Sequence, residues 1–328
     1  MCKRRMIISL WILLVFVEGM AVADTAPVIL ARLNNIDARD IISKLSSNLY
    51  DVDKIVAERE TSFDPDEVIS GEKAREDVYT IGNVTLTVSE PYGDVYISWP
   101  AKTYDDYLTV EEEQTQKYDI DRDGYLDDGQ TRMCEKTFVP EDDVQPEIKE
   151  ACDSTARFVA SLFGVEVVDH YVTSFALKSC FPDGQQYLTG TFKYGIIRNG
   201  LPVDTAGIWS EVSRAGFFVR GESITIQWIE TEVLSAHVEL YQIESEDFLS
   251  ETFISSEMAE GKVHQEIEKL SSAFNSEPYV DLCYMAVPDR RGLLYATLVP
   301  AWRFRFTGEY LEESNCHRVN AYTGEVIR

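Results

Sequence analysis

The sequence predicts an α+β protein in which a helix packed on an antiparallel sheet occurs twice in the C-terminal half, behind an N-terminal region containing β-structure. Three observations lead there. Residues 146–163 carry apolar side chains at spacings of three and four, the period of a half-buried helix. Stretches on either side alternate apolar and polar residues at period two, the mark of half-buried strands. The order helix, strand, strand, closing hairpin then recurs after residue 253, as in an internal duplication.

Taken in order, residues 24–75 read as helical and polar, with Ile36, Ile41, Ile42, Leu45 and Leu49 able to form one apolar stripe. From Tyr79 the period changes to two. Val84, Leu86 and Val88 alternate, Pro91-Tyr92-Gly93-Asp94 has turn composition, and Val95, Ile97 and Trp99 alternate again, which predicts a hairpin. Residues 105–143 hold 14 acidic residues against Lys117, Arg122, Lys136 and Arg132, and read as a loop or insertion outside the core. Pro146 suits a first helical position and Gly164 a left-handed stop, which bounds a helix at 146–163. Strands are predicted at 165–177 and 187–197, with a turn at Asn199-Gly200, then at 208–213, 217–220 and 223–230. The second pass begins with Ser255 or Ser256 capping a helix striped by Ala259, Val263, Ile267, Leu270 and Phe274. Strands at 279–287 and 293–306 follow, and a hairpin through Tyr322-Thr323-Gly324 closes the chain. The predicted division is 1–23, 24–143, a first module at 144–232 and a second at 253–328.

Lys3, Arg4 and Arg5 precede the apolar run 6–17, and Ala21-Val22-Ala23 has the small-x-small pattern of a signal peptidase site. That run falls short of the roughly 20 residues that span a bilayer, and Glu18 interrupts it. The expectation is an exported protein, secreted or held at the cell surface, cleaved after Ala23. With 30 Lys+Arg against 57 Asp+Glu, the formal net charge is −27, so nucleic acid and anionic membrane surfaces are excluded as partners, because both require a basic face. A hydrophobic content of 45% supplies real cores, which separates this chain from a disordered polyacid. Beyond the leader the cysteines are Cys134, Cys152, Cys180, Cys283 and Cys316. Their odd number and the lack of any CxxC spacing read as one or two staples or plain buried thiols, not a zinc or redox site.

The ending Val319-Asn320-Ala321-Tyr322-Thr323-Gly324-Glu325-Val326-Ile327, preceded by a strand and a helix, resembles the closing hairpin of PepSY domains and of the related YycI and YycH regulatory proteins. The resemblance covers about residues 255–328, and 146–230 by element order alone. It implies duplicated helix-on-sheet modules outside a bacterial membrane that modulate a protease or sensor through protein contacts. It brings no catalytic motif.

Residues 119–130 carry the sharpest motif. Asp119, Asp121, Asp123 and Asp127 stand at positions 1, 3, 5 and 9 of a loop that resembles the calcium loop of EF-hand and dockerin proteins, with Gly124 at 6 and the Tyr125 carbonyl at 7. Alternate aspartates converge on a hard cation while the glycine permits the sharp turn. Gln130 replaces the bidentate glutamate at position 12, so the predicted calcium affinity is weak, about 10⁻⁴ to 10⁻³ M.

Catalytic signatures are absent: there is no GxSxG, HExxH, phosphate loop or GxGxxG, and His170, His237, His264 and His317 are scattered. No catalytic or organic-cofactor residue is predicted. The function expected is a non-catalytic exported protein that binds or modulates another extracytoplasmic protein, a protease or a sensor, in an oligomeric state left open. The alternatives are a secreted hydrolase or glycan-active protein with a carboxylate site, and a calcium-stabilised surface or adhesion protein.

Overall fold

The computed structural model describes residues 25–33, 37–48, 60–69, 72–90, 94–108, 135–180, 185–206, 208–210, 217–269, 278–291, 295–305 and 316–327. Most of them lie in antiparallel strands of two large sheets, which corrects the predicted fold class. The chain is β-rich and is not a duplicated helix packed on a sheet.

The larger sheet has eleven strands. Its order runs β2 (Glu60–Ile69), β3 (Glu72–Ile81), β4 (Val84–Glu90), β5 (Asp94–Ser98), β14 (Glu232–Glu239), β13 (Ser223–Ile229), β9 (Gln186–Arg198), β8 (Thr173–Cys180), β6 (Glu135–Phe138). Two short strands, β7 (Glu166–Val167) and β10 (Leu201–Pro202), pair with the far end of β9. The smaller sheet is built around β17 (Tyr295–Arg305). One edge of β17 takes β16 (Tyr279–Pro288); the other takes β1 (Val28–Leu33) along its first half and β18 (Cys316–Asn320) along its second. Outside these lie β15 (Tyr241–Asp247) on β1 and β19 (Val326–Ile327) on β18. A separate ribbon pairs β11 (Ile208–Ser210) with β12 (Phe217–Val219).

Helix α1 (Ala38–Asn48) falls inside the segment expected to be helical, but β1, β2 and the start of β3 lie there too. Helix α2 (Pro146–Phe163) starts and stops where predicted, with Gly164 at φ 66° donating its N–H to the Ala160 and Ser161 carbonyls. It lies across β13 and β14 and buries Ile148, Cys152, Ala156, Val159, Ala160 and Leu162. Against these stand Ile224, Ile226 and Trp228 of β13 and Phe192, Tyr194 and Ile196 of β9, and α1 adds Ile41 and Leu45 to the same core. Complete burial of each large apolar side chain contributes about 1.5–3 kcal/mol. Lys44 of α1 donates from Nζ to the Leu162 carbonyl at 2.6 Å, satisfying one of the free carbonyls at the end of α2. Helix α3 (Ser256–Lys269) sets Ala259 and Val263 against Phe304 and Val319 of the smaller sheet.

Why the predicted class fails is visible in the strand partners. Strand β14 was not expected; it returns from β13 and takes β5 on its free edge, so the early hairpin and the strands around α2 become one sheet. Strand β15, equally unexpected, pairs with β1 from near the start of the described chain. Part of the acidic stretch expected to be loop forms β6 on the edge of β8. The local predictions of the hairpin turn at Asn199 (φ 48°) and Gly200 (φ 78°), and of β13, β16, β17 and β18, agree with the structure within a few residues.

Candidate functional site

The predicted calcium residues, Asp119, Asp121, Asp123, Tyr125, Asp127 and Gln130, lie outside the described residues, as does Cys134. Cys152, Cys180, Cys283 and Cys316 are free thiols. Burial first, and then neighbouring Asp153, pushes the Cys152 thiol up to about 12, so it is inert as a nucleophile. On α3, His264 meets Glu260 one turn earlier at 3.4 Å, in the open.

A cleft of about 530 Å³ opens at the β6 end of the larger sheet. Its walls come from Phe138 and Val139 at the end of β6, Lys178 of β8, Tyr187 and Leu188 of β9, and Glu230 from the β13–β14 turn. The turn is held against β9 on both sides: Glu230 N–H donates to the Leu188 carbonyl at 2.7 Å, and Leu188 N–H donates to the Glu230 carboxylate at 2.5 Å. Glu230 adopts φ 51° to do so, a conformation that a side chain tolerates poorly. Aromatic rings rim the opening. Phe138 meets Phe175 edge-on at 5.8 Å, and Tyr107, from the helical residues 102–108, meets Tyr187 edge-on at 5.3 Å. Phe138 is 60% and Phe175 47% exposed, so this pair is an exposed aromatic patch and not a core. Asp143 is the second acid in the cleft beside Glu230.

On the face of the larger sheet away from α2, Asp94 meets two residues far from it in sequence. His237 and Glu239 of β14 share that face, and Asp94 starts β5 alongside. His237 Nε2 lies 3.8 Å from Asp94 Oδ1, and Arg220 Nη1 lies 2.8 Å from Glu239. The imidazole stacks flat on Tyr96, with ring centroids 4.2 Å apart.

Charges of another kind sit where the chain passes between the sheets. Arg198, at the end of β9, grips Glu222 through two hydrogen bonds of 2.9 and 2.6 Å, and Tyr241 N–H donates to the same carboxylate. Asp204 follows Val203, which bridges to Tyr284 on the edge of β16. There it accepts from Arg318 Nε at 2.7 Å and lies 3.5 Å from Arg303, which in turn holds Asp281 at 2.5 Å. Burial would raise the Asp204 carboxyl, but the Arg318 and Arg303 guanidinia hold it below the usual carboxylate range. Among the described residues, every carboxyl whose pKa departs from its ordinary value departs downward: Asp204, Glu257 and Asp289. A general acid at neutral pH needs the opposite shift.

No protein-family model and no curated protein matches the chain. Among solved structures, an uncharacterized protein from Eubacterium rectale superposes with a TM-score of 0.50 at 13% identity, over 93% of this chain and 86% of the other. That likeness shows a shared fold. The Bacillus megaterium YpeB C-terminal domain aligns over 90% of this chain and 97% of its own at 10% identity, with a TM-score of 0.29. Among the described residues no helix is long and apolar enough to cross a membrane.

Proposed function

We propose that this chain is an exported, non-catalytic protein that binds or modulates another extracytoplasmic protein, and that the cleft between β6 and the β13–β14 turn is the contact. The observation that carries this reading is the aromatic rim, with Phe138 and Phe175 edge to face and about half or more exposed at the end of a sheet. An exposed apolar rim around a shallow cleft is the form of a protein-binding site. The net charge of −27 and the acids Asp143 and Glu230 select a basic segment carrying an aromatic or aliphatic side chain, because complementary charge speeds encounter and rejects acidic partners. The closing hairpin's resemblance to PepSY, YycI and YycH modules favours a protease or sensor as the owner of that segment. Calcium held weakly by Asp119, Asp121, Asp123, Tyr125, Asp127 and Gln130 belongs to the same proposal, as an ordering ion for the acidic segment.

The test is a photo-crosslinking amino acid placed at position 138 and, as a control, at position 248, where Phe248 is 70% exposed beyond β15. In the producing cells a discrete adduct forms from 138 and not from 248. Equal labelling at the two positions, or none, overturns the contact surface. Turnover of a glycan or peptide panel by the purified chain overturns the non-catalytic reading.

A further inference from the structure

Asp94 lies one place beyond the Val95–Val238 register pair, opposite Glu239 on the neighbouring strand. Like charges facing each other across an antiparallel pair repel. Arg220 offsets part of this: its Nη1 stands 2.8 Å from Glu239 but 3.9 Å from Asp94, and its side chain is 57% exposed. His237 completes the group. Its Nε2 is buried and has no hydrogen-bond partner, although burying an imidazole nitrogen unpaired is costly. One ligand atom each from Asp94, His237 and Glu239 falls within 4.8 Å of the other two.

We propose that Asp94, His237 and Glu239 bind a divalent transition-metal ion of the zinc class, and that Arg220 is the resident cation this ion displaces. A tetrahedral ion about 2.0–2.1 Å from each donor holds donors roughly 3.4 Å apart. The Asp94–His237 separation of 3.8 Å is close to that value, and small rotamer changes of two partly buried carboxylates close the remainder. Stacking on Tyr96 fixes the imidazole plane, so little ordering of His237 is needed on binding. An imidazole combined with two carboxylates suits borderline ions over calcium, which prefers six or more oxygens. With three protein donors, the fourth position is open to water or a ligand. This site is independent of the proposed partner contact and lies on a different part of the sheet from the β6 cleft.

Cobalt(II) added to the full chain is the probe, since its visible absorption reports a low-coordinate nitrogen and oxygen site and zinc competes for it. The native chain gives a saturable cobalt spectrum abolished by zinc. Asp94→Asn and His237→Gln, both near in shape to the originals, lose it. Arg220→Gln binds more tightly by on the order of tenfold, the effect of removing one positive charge about 5 Å from a doubly charged ion even at the dielectric of water. That gain is a result no folding defect produces. Absence of a saturable spectrum in both the native chain and Arg220→Gln overturns the proposal, and so does cobalt binding indifferent to all three substitutions, which assigns the ion to the acidic segment instead.

Discussion

The layer beneath α2 and the junction at Asp204 are both buried, yet they are held together by different physics. Under α2 the buried side chains of β9 and β13 are apolar or aromatic, and polar atoms are few: Tyr194 donates to Asp153 at 2.7 Å, while Trp228 Nε1 is buried with no partner. At the junction the buried groups are ionised. Asp204 has a side chain 4% exposed between Arg318 and Arg303, themselves 13% and 10% exposed. An apolar layer stabilises in proportion to area and tolerates any filling of the right volume. A buried ion pair adds little net stability but allows one arrangement only, since removing either member strands the other in low dielectric. The junction therefore orients one sheet against the other, whereas the α2 layer supplies the driving force.

The largest difference between the two regions lies in conservative substitutions. Asp204→Ala is expected to cost about 3–5 kcal/mol, and Asp204→Asn most of that, because two guanidinia lose their shared carboxylate. Trp228→Ala costs a similar amount, about 3–5 kcal/mol, through the cavity it leaves. Trp228→Phe, however, removes an unpaired donor and costs under about 1.5 kcal/mol. Urea unfolding of the four variants measures all of this, and equal losses for Asp204→Asn and Trp228→Phe would erase the distinction. A second way to sharpen it is pH. The folded Asp204 carboxyl titrates below its ordinary 3.8, so its contribution is fully present above that value and disappears as pH falls through the lower folded pKa. Between pH 7 and pH 3 the native chain should lose more stability than Asp204→Asn, while Trp228→Phe should follow the native slope.

Smaller effects come from the periphery. Millimolar calcium should raise the unfolding midpoint of the native chain by the equivalent of about 0.4 kcal/mol when its concentration equals the dissociation constant, and Asp121→Asn should remove that shift. At the rim of the cleft, Phe138→Ser is expected to change stability by a similarly small amount, no more than about 0.5 kcal/mol, because the ring is mostly in water, while abolishing capture of the partner segment. A large loss of stability there would make the rim part of a core and not a contact.

Local features were legible before any fold was known. Pro146, the three-and-four spacing from Ile148 to Leu162, and Gly164 together define α2, since each acts within a turn or two of helix. The Asn199-Gly200 turn needs only two residues that accept positive φ. Strand β14 went unpredicted, although its Ala236 and Val238 alternate with the polar His237 and Glu239. What no pattern in β14 reveals is that Asp94, from a hairpin more than a hundred residues earlier, would stand opposite Glu239. The cleft was hidden for the same reason, being assembled from a strand in a stretch that reads as acidic loop, a hairpin and a turn.

Residue order alone accounts for the positions of α2 and α3 and of the Asn199-Gly200 turn, the acidity and its concentration in 105–143, and the strands whose apolar residues alternate. These follow from interactions between near neighbours and from composition. Only the tertiary structure decided that the strands merge into two large sheets, that β1 joins β17, and that His237 faces two carboxylates. A strand's period states which face it buries but not which edge it takes, and edge choice depends on pairing and packing across the whole chain.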